Sequence, residues 1–183
     1  MSALLTMMDV ACLRGGRMLF EGLDLTLHPG EAVHVTGANG SGKSSLIRLV
    51  AGLLAPAAGS IDRADCALAD EKLALDRELS LDRALAFWID DPARRSSALA
   101  AMGLEIGQVP VRLLSTGQRQ RARLARVVAS DAPLWLLDEP LNGLDQDAVG
   151  LLDTAVRNHL DNGGAVLAAS HVPMAGDWRS LAL

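Results

Sequence analysis

The sequence predicts an α/β protein: a mostly parallel core sheet, an N-terminal antiparallel β-hairpin and a small helical subdomain. Three observations predict it. Two runs of alternating apolar residues, 3–13 and 17–28, are joined by Arg14-Gly15-Gly16-Arg17, a tight-turn signal for a hairpin. Beyond residue 30, short apolar runs at 32–36, 134–137 and 165–169 alternate with helical spacing at about 43–53, 116–130 and 145–160. That alternation implies parallel strands covered on both faces. Helical spacing also fills residues 80–103, broken at Asp91-Pro92, so a helical insertion is expected within the parallel unit.

Taken in order, His28-Pro29-Gly30-Glu31 is a second turn leading to the strand 32–36. The helix from Lys43 is ended by Pro56, and Ile61 and Cys66–Ala69 suggest short strands. The helix at 145–160 puts Ala148, Leu151, Leu152, Ala155 and Val156 on one face, and Asn162-Gly163-Gly164 stops it. The whole of 1–183 reads as one domain, with the helical subdomain inserted at about 72–130.

Composition narrows the function. Of 183 residues 50% are apolar and 21% charged, enough for a substantial core and too apolar for a disordered chain. A net charge of −5 disfavours a nucleic-acid surface, which needs clustered positive charge. The two cysteines, Cys12 and Cys66, make no disulfide framework and read as small core residues; no CxxC or His/Cys cluster offers a metal site. The opening MSALLTMMDV has no basic segment ahead of an apolar run, so no secretory signal is expected. The weakly charged stretches 49–61 and 162–176 are interrupted by Gly and Pro and fall short of the roughly 20 residues a membrane helix needs. Any action at a membrane is therefore expected to run through a partner.

Gly37-Ala38-Asn39-Gly40-Ser41-Gly42-Lys43-Ser44 fits G-x-x-x-x-G-K-[ST] between an expected strand and an expected helix. Glycines let backbone N–H groups curl around phosphate oxygens, and the helix N-terminus adds its positive dipole end. Gly37, Asn39, Gly40, Ser41, Gly42, Lys43, Ser44 and Ser45 are the expected phosphate-binding residues. Lys43 would reach the β- and γ-phosphates of ATP, and the Ser44 hydroxyl would ligate Mg²⁺. Leu134-Trp135-Leu136-Leu137-Asp138-Glu139-Pro140 is an apolar strand ending in two acids, at the carboxyl edge where open α/β sheets bind ligands. Asp138 can hold Mg²⁺, and Glu139 can take a proton from the attacking water.

Leu114-Ser115-Thr116-Gly117-Gln118 opens a helix with a hydroxyl and free N–H groups, the makings of a second anion-binding end. Here the sequence resembles the ATP-binding subunits of ABC transporters, whose signature reads Leu-Ser-x-Gly-Gln. The resemblance covers essentially the whole chain. Asn142-Gly143-Leu144-Asp145 is similar to the family's D-loop, and Ser170-His171 after the last predicted strand to its switch histidine. It implies a P-loop NTPase fold of the ABC type and a homodimer with two ATP molecules at the interface. Ser115, Gly117 and Gln118 of one subunit, with Asp145, would serve the nucleotide held by the other. It also implies Glu139 as general base, with His171 orienting the γ-phosphate and the water. The Arg119, Arg123 and Arg126 series at i, i+4, i+7 reads as a solvated face by default, with a contact to nucleotide or partner as the alternative.

Two departures from the family stand out. Its Gln after the strand following the first helix is missing: the region reads Leu68-Ala69-Asp70-Glu71-Lys72, with Glu71 or Lys72 in the slot. No Tyr is present to stack on adenine, and Phe20 is expected in the core.

Three local stretches are similar to the ATP-binding subunit of the cytochrome c maturation (haem exporter) complex: residues 35–43, 79–88 with Phe87 and Trp88, and 134–140. That resemblance implies integral membrane partners, including a haem exporter permease, and a peripheral place at the cytoplasmic face of the inner membrane. The alternatives are an ABC ATPase serving another substrate, a non-transport ABC protein, or a small P-loop kinase. The helical insertion near Phe87 and Trp88 is either the partner-facing surface or core.

Overall fold

The structure, a computed structural model, describes residues 2–72 and 74–183. It contains two compact units: 1–68 with 132–139 and 158–183, and 69–131 with 140–157.

In the first unit, β1 (Leu5–Arg14) and β2 (Arg17–Leu27) form the expected antiparallel hairpin, and β4 (Ala58–Arg63) adds to β1 on its other side. The second sheet runs β5-β6-β7-β3-β8, from β3 (Ala32–Thr36), β5 (Cys66–Ala69), β6 (Leu134–Asp138), β7 (Ala165–Ala169) and β8 (Arg179–Ala182). The pairs β3–β7, β3–β8 and β6–β7 are parallel. Strands β6 and β7 are buried at every residue, as their unbroken apolar runs require when both faces are covered. Helix α1 (Lys43–Val50) packs Leu46, Ile47, Leu49 and Val50 onto a core shared with Leu5, Leu27, Val33, Leu134 and Leu167. It closes earlier than expected because Gly52, at φ 75°, turns the chain back and donates to Leu49 O at 3.0 Å. Phe20 packs at the edge of this core, Cys12 is buried and Cys66 half-buried.

Strand β8 was not expected. Its Arg-Ser-Leu-Ala run is short and shows one half-buried position, so neither period nor apolar content marks it.

His159 stacks on Trp135, with ring centroids 3.9 Å apart and an interplanar angle of 10°, and its Nε2 lies 3.1 Å from Pro133 O. The ring fills the space that any side chain at Gly164 would occupy. Burial pushes the His159 pKa below its ordinary value of 6.5, against the opposing pull of the Pro133 and Ala165 backbone groups. A histidine that is harder to protonate folded than unfolded stabilises the fold at neutral pH. That contribution is lost as pH falls through 6.5, because the unfolded chain then takes up the proton. Thermal unfolding followed from about pH 8 to about pH 5.5 should show Tm falling over the lower part of the range, more steeply than in His159→Phe. Equal slopes would remove His159 as the cause.

The second unit contains α2 (Leu81–Ala86), α3 (Pro92–Ala101), a 3₁₀ turn at Val111–Leu113 and α4 (Thr116–Val128). Asp91 caps α3, its side chain accepting from Ala93 N at 2.8 Å with Pro92 behind it, which is why the helical spacing breaks there. Arg95 is buried; it meets Asp82 at 2.9 Å and donates to Ile89 O and Asp90 O at 2.7 and 2.9 Å, closing the turn between α2 and α3. Helix α5 (Gln146–Asp161) begins in this unit and ends in the first.

The solvated reading of the α4 arginines is corrected here. Arg123 is only 6% exposed and donates to Asp70 O, while Arg119 and Arg126 are half-buried. The i, i+4, i+7 row faces the chain segment that follows β5, whose backbone carbonyl supplies the acceptor.

Candidate functional site

Residues 37–42 link the carboxyl end of β3 to α1 as a loop in which Gly37 to Gly40 are exposed. Gly37 is required by space as well as by φ, and Gly42 by φ at a crowded position. A Cβ on Gly37 (φ 146°) would lie 2.7 Å from Leu183 O and from Ser41 Oγ. One on Gly42 (φ 115°) would press at 3.1 Å on the Phe20 ring. Gly42 is the N-cap of α1 and offers no side chain, so the first amides of the helix are not capped by one. Lys43 is buried to 7% exposure, and its ammonium donates to Gly37 O at 2.8 Å and Ala38 O at 3.1 Å. Ser41 Oγ is buried with no partner among the described residues. Ser45, half-buried, hydrogen-bonds the Cys12 thiol, whose pKa burial pushes up.

Strand β6 delivers the two acids. Asp138, 1% exposed, accepts from Ser44 Oγ at 2.9 Å, which joins α1 to the carboxyl end of β6. Glu139 follows at φ 48°, a conformation unusual for a side chain with a Cβ. Its N–H donates to Ala169 O at 2.8 Å, so the bend is fixed by the neighbouring strand. The bend presents the Glu139 carboxylate to His171, whose Nδ1 lies 2.8 Å from Oε2 and whose backbone N–H is 3.4 Å from the same oxygen. The two side chains are 23% and 55% exposed respectively.

The structure thus brings Lys43, Ser44, Asp138, Glu139 and His171 to one edge of the parallel sheet in the first unit. Sequence reasoning missed His34 on β3, whose Nε2 lies 3.0 Å from Ser170 O, immediately before His171. A histidine in an otherwise apolar strand was the available signal.

The other expected residues lie in the second unit. Ser115 is the N-cap of α4: its hydroxyl accepts from Gln118 N at 3.2 Å, and the Gln118 side chain accepts from Ser115 N at 2.9 Å. Gly117 sits where a Cβ would meet Gly143 O at 3.3 Å, which brings the 115–118 and 142–145 turns together. Asp145 accepts from Ala148 N at 2.8 Å and so caps the first turn of α5.

A glycine loop with an ammonium and helix amides behind it, beside a buried carboxylate and a hydroxyl, is chemistry for nucleotide phosphates. The orphaned Ser41 hydroxyl fits that use, since it needs an acceptor or donor from outside the chain.

The family described as ABC transporter matches residues 20–142, and the chain belongs to that family. It is an ATPase subunit of the ABC class.

More narrowly, it is 54% identical over 181 residues to the cytochrome c biogenesis ATP-binding export protein CcmA of Sphingopyxis alaskensis, covering 96% of this chain and 93% of that one. It is 56% identical to the protein of the same name from Novosphingobium aromaticivorans, over 91% of this chain and 88% of that one. Among solved structures, an ATP-binding subunit of an ABC transporter matches at TM-score 0.84 and 25% identity, covering 92% of this chain and 80% of that one. A dimeric ATP-binding cassette with ADP and Pi shares the fold at TM-score 0.81 and 20% identity, over 92% of this chain and 88% of that one.

Proposed function

We propose that the chain is the ATP-hydrolysing subunit of a membrane export complex for cytochrome c biogenesis, coupling ATP turnover to the work of integral membrane partners. The observation that carries it is the agreement of two independent features. One is the Lys43–Ser44–Asp138–Glu139–His171 cluster. The other is identity above 50%, over more than nine-tenths of the chain, to proteins named as CcmA export ATPases.

Lys43, the loop amides of residues 37–45 and Ser41 would hold the ATP phosphates, and Ser44 with Asp138 would hold Mg²⁺. Bound Mg²⁺ would neutralise charge on the β- and γ-phosphates. His171 keeps Nδ1 on Glu139 Oε2, which leaves the other carboxylate oxygen to take the proton of the attacking water and Nε2 to orient the γ-phosphate.

Ser115, Gly117, Gln118 and Asp145 would complete the site of a second copy, each subunit lending its α4 N-terminus to its neighbour across a two-fold axis. Among the described residues no helix is long and apolar enough to cross a membrane, which fits peripheral attachment at the cytoplasmic face through a permease. Phe87, 83% exposed at the end of α2, is the residue such a partner would cover.

Purification of the tagged chain from solubilised membranes of a cell that makes cytochrome c should recover a polytopic partner in fixed ratio. Recovery of a permease unconnected with cytochrome c biogenesis would select the alternative of another transported substrate. Recovery of none would overturn the transport reading.

A further inference from the structure

His34 is a half-buried imidazole among the apolar residues of β3, and the ATP chemistry described above does not use it. Val33 and Val35 go into the core, so the strand period of two turns His34 to the opposite face of the sheet. Its backbone pairs with Ala168 of β7 on one side and with Ser180 of β8 on the other. The loop 170–178 joins those two strands and carries His171. His34 therefore lies between the two ends of that loop.

Its ring meets both ends. Nε2 lies 3.0 Å from Ser170 O; a carbonyl only accepts, so Nε2 carries the proton and donates it. The β3–β7 ladder stops at Val35 and Ala169, so Ser170 O lies beyond the last paired residue of β7, in a residue that is 1% exposed. A carbonyl buried there without a donor would cost free energy, and the imidazole supplies the donor. At the far end Trp178 meets the His34 ring edge-on, with centroids 6.4 Å apart and an interplanar angle of 77°. Trp178 Nε1 in turn donates to Ala175 O at 2.9 Å and closes the last turn of the loop. At the first turn Ser170 Oγ accepts from Val172 N at 3.0 Å, so the backbone on both sides of His171 is referred to Ser170.

We propose that His34 is a positioning residue for His171: by holding the Ser170 carbonyl and the Trp178 ring it keeps the His171 turn in register with β3. The proposal rests on the reading that His171 orients the γ-phosphate. The physical basis is that β3 runs from His34 to Gly37, the first glycine of the phosphate loop, in three residues. The phosphate loop and His171 come from different segments, and both must reach the same phosphate. His34 fixes one to the other. Without its bond the His171 turn is held to the site only through Glu139, whose carboxylate must also serve the water. The loss then falls on the transition state, because Lys43 and the loop amides hold the bound ATP without His34.

The amide nitrogen of Gln stands as many bonds from Cβ as Nε2 of His, so His34→Gln can restore the donor to Ser170 O. Leu fills a similar volume with no donor, and Asn keeps the amide one carbon short. ATP turnover of the full chain is measured for these three variants, for His171→Ala, and for His34→Leu in the His171→Ala background. His171→Ala should lose about 10²–10³-fold in kcat, as for one preorganised donor removed. His34→Leu and His34→Asn should lose about 5- to 100-fold, up to what a displacement of about 1 Å costs, with KM for ATP within about twofold. His34→Gln should recover most of that loss. In the His171→Ala background, His34→Leu should cost less than about twofold more, because its effect passes through the missing side chain.

Wild-type turnover in His171→Ala overturns the reading of the site itself, and that result is read first. With His171→Ala slow, wild-type kcat in both His34→Leu and His34→Asn overturns the positioning role. An equal loss in the two backgrounds also overturns it, since a residue that only satisfies a buried carbonyl would slow both alike. A His34→Gln protein as slow as His34→Leu overturns the bond to Ser170 as the means. If His34→Leu does not fold, the Gln and Asn variants, one methylene apart, carry the same comparison, with His34→Asn in the double variant.

Discussion

Glu139→Gln should bind ATP and hydrolyse it about 10²–10⁴-fold more slowly, the usual contribution of a positioned general base. The substitution is nearly isosteric, so it tests the proton and little else. Glu139 holds its φ of 48° through the bond from its own N–H to Ala169 O, which does not depend on the side chain. Gln keeps an oxygen for His171 Nδ1 but cannot take up a proton from water. With hydrolysis blocked, the ATP-bound state accumulates. If the α4 N-terminus of a second copy completes the site, size-exclusion chromatography with ATP should then show a dimer. Adding Ser115→Arg to the same chain should abolish that dimer, because a long side chain replaces the hydroxyl that caps α4. Single-turnover hydrolysis near the wild-type rate would remove Glu139 from the base role. A Glu139→Gln protein that stays monomeric with ATP bound would remove the shared-site geometry.

Lys43→Arg should lose about 10²–10³-fold in kcat despite keeping its charge, the loss typical of removing one preorganised donor. Lys43 and Lys72 are the only lysines of the chain, which otherwise uses Arg for positive charge. The reason at position 43 is spatial. The ammonium is tucked within 2.8 and 3.1 Å of two carbonyls of its own loop, with 7% of the residue exposed. A compact ammonium can leave those carbonyls for a phosphate a short distance away, whereas a planar guanidinium is longer and wider than the space. Fluorescent-nucleotide titration alongside turnover separates the two ways of failing. Wild-type affinity together with wild-type turnover would show that Lys43 does not meet the phosphates.

The phosphate loop and the two acids at the end of β6 were legible in the sequence because each is a local pattern with a local physical reason. Glycines stand where φ or space forbids a Cβ, and Asp138-Glu139 ends an apolar run, whereas the Ser115 hydroxyl expected to be free is engaged by Gln118 N. What escaped depends on residues far apart. Arg123 reads as solvated because its helical row is charged, yet its acceptor is a backbone carbonyl 53 positions away, and backbone acceptors leave no mark in a sequence. His34 likewise meets the carbonyl of Ser170 across 136 positions. Strand β8 escaped for a different reason: three of its four residues are exposed, and four residues are too few to show a period.

The pairing of β3 bears on how the protein is made. This strand, which feeds the phosphate loop, has β7 on one side and β8 on the other, and Thr36 reaches Leu181 across 145 positions. During synthesis the loop leaves the ribosome long before either neighbour of its strand exists. A nascent chain truncated ahead of residue 165 would carry the whole glycine motif with β3 unflanked and Val33 and Val35 uncovered. Until the last strands arrive, that segment is exposed to aggregation and is a natural client for a chaperone.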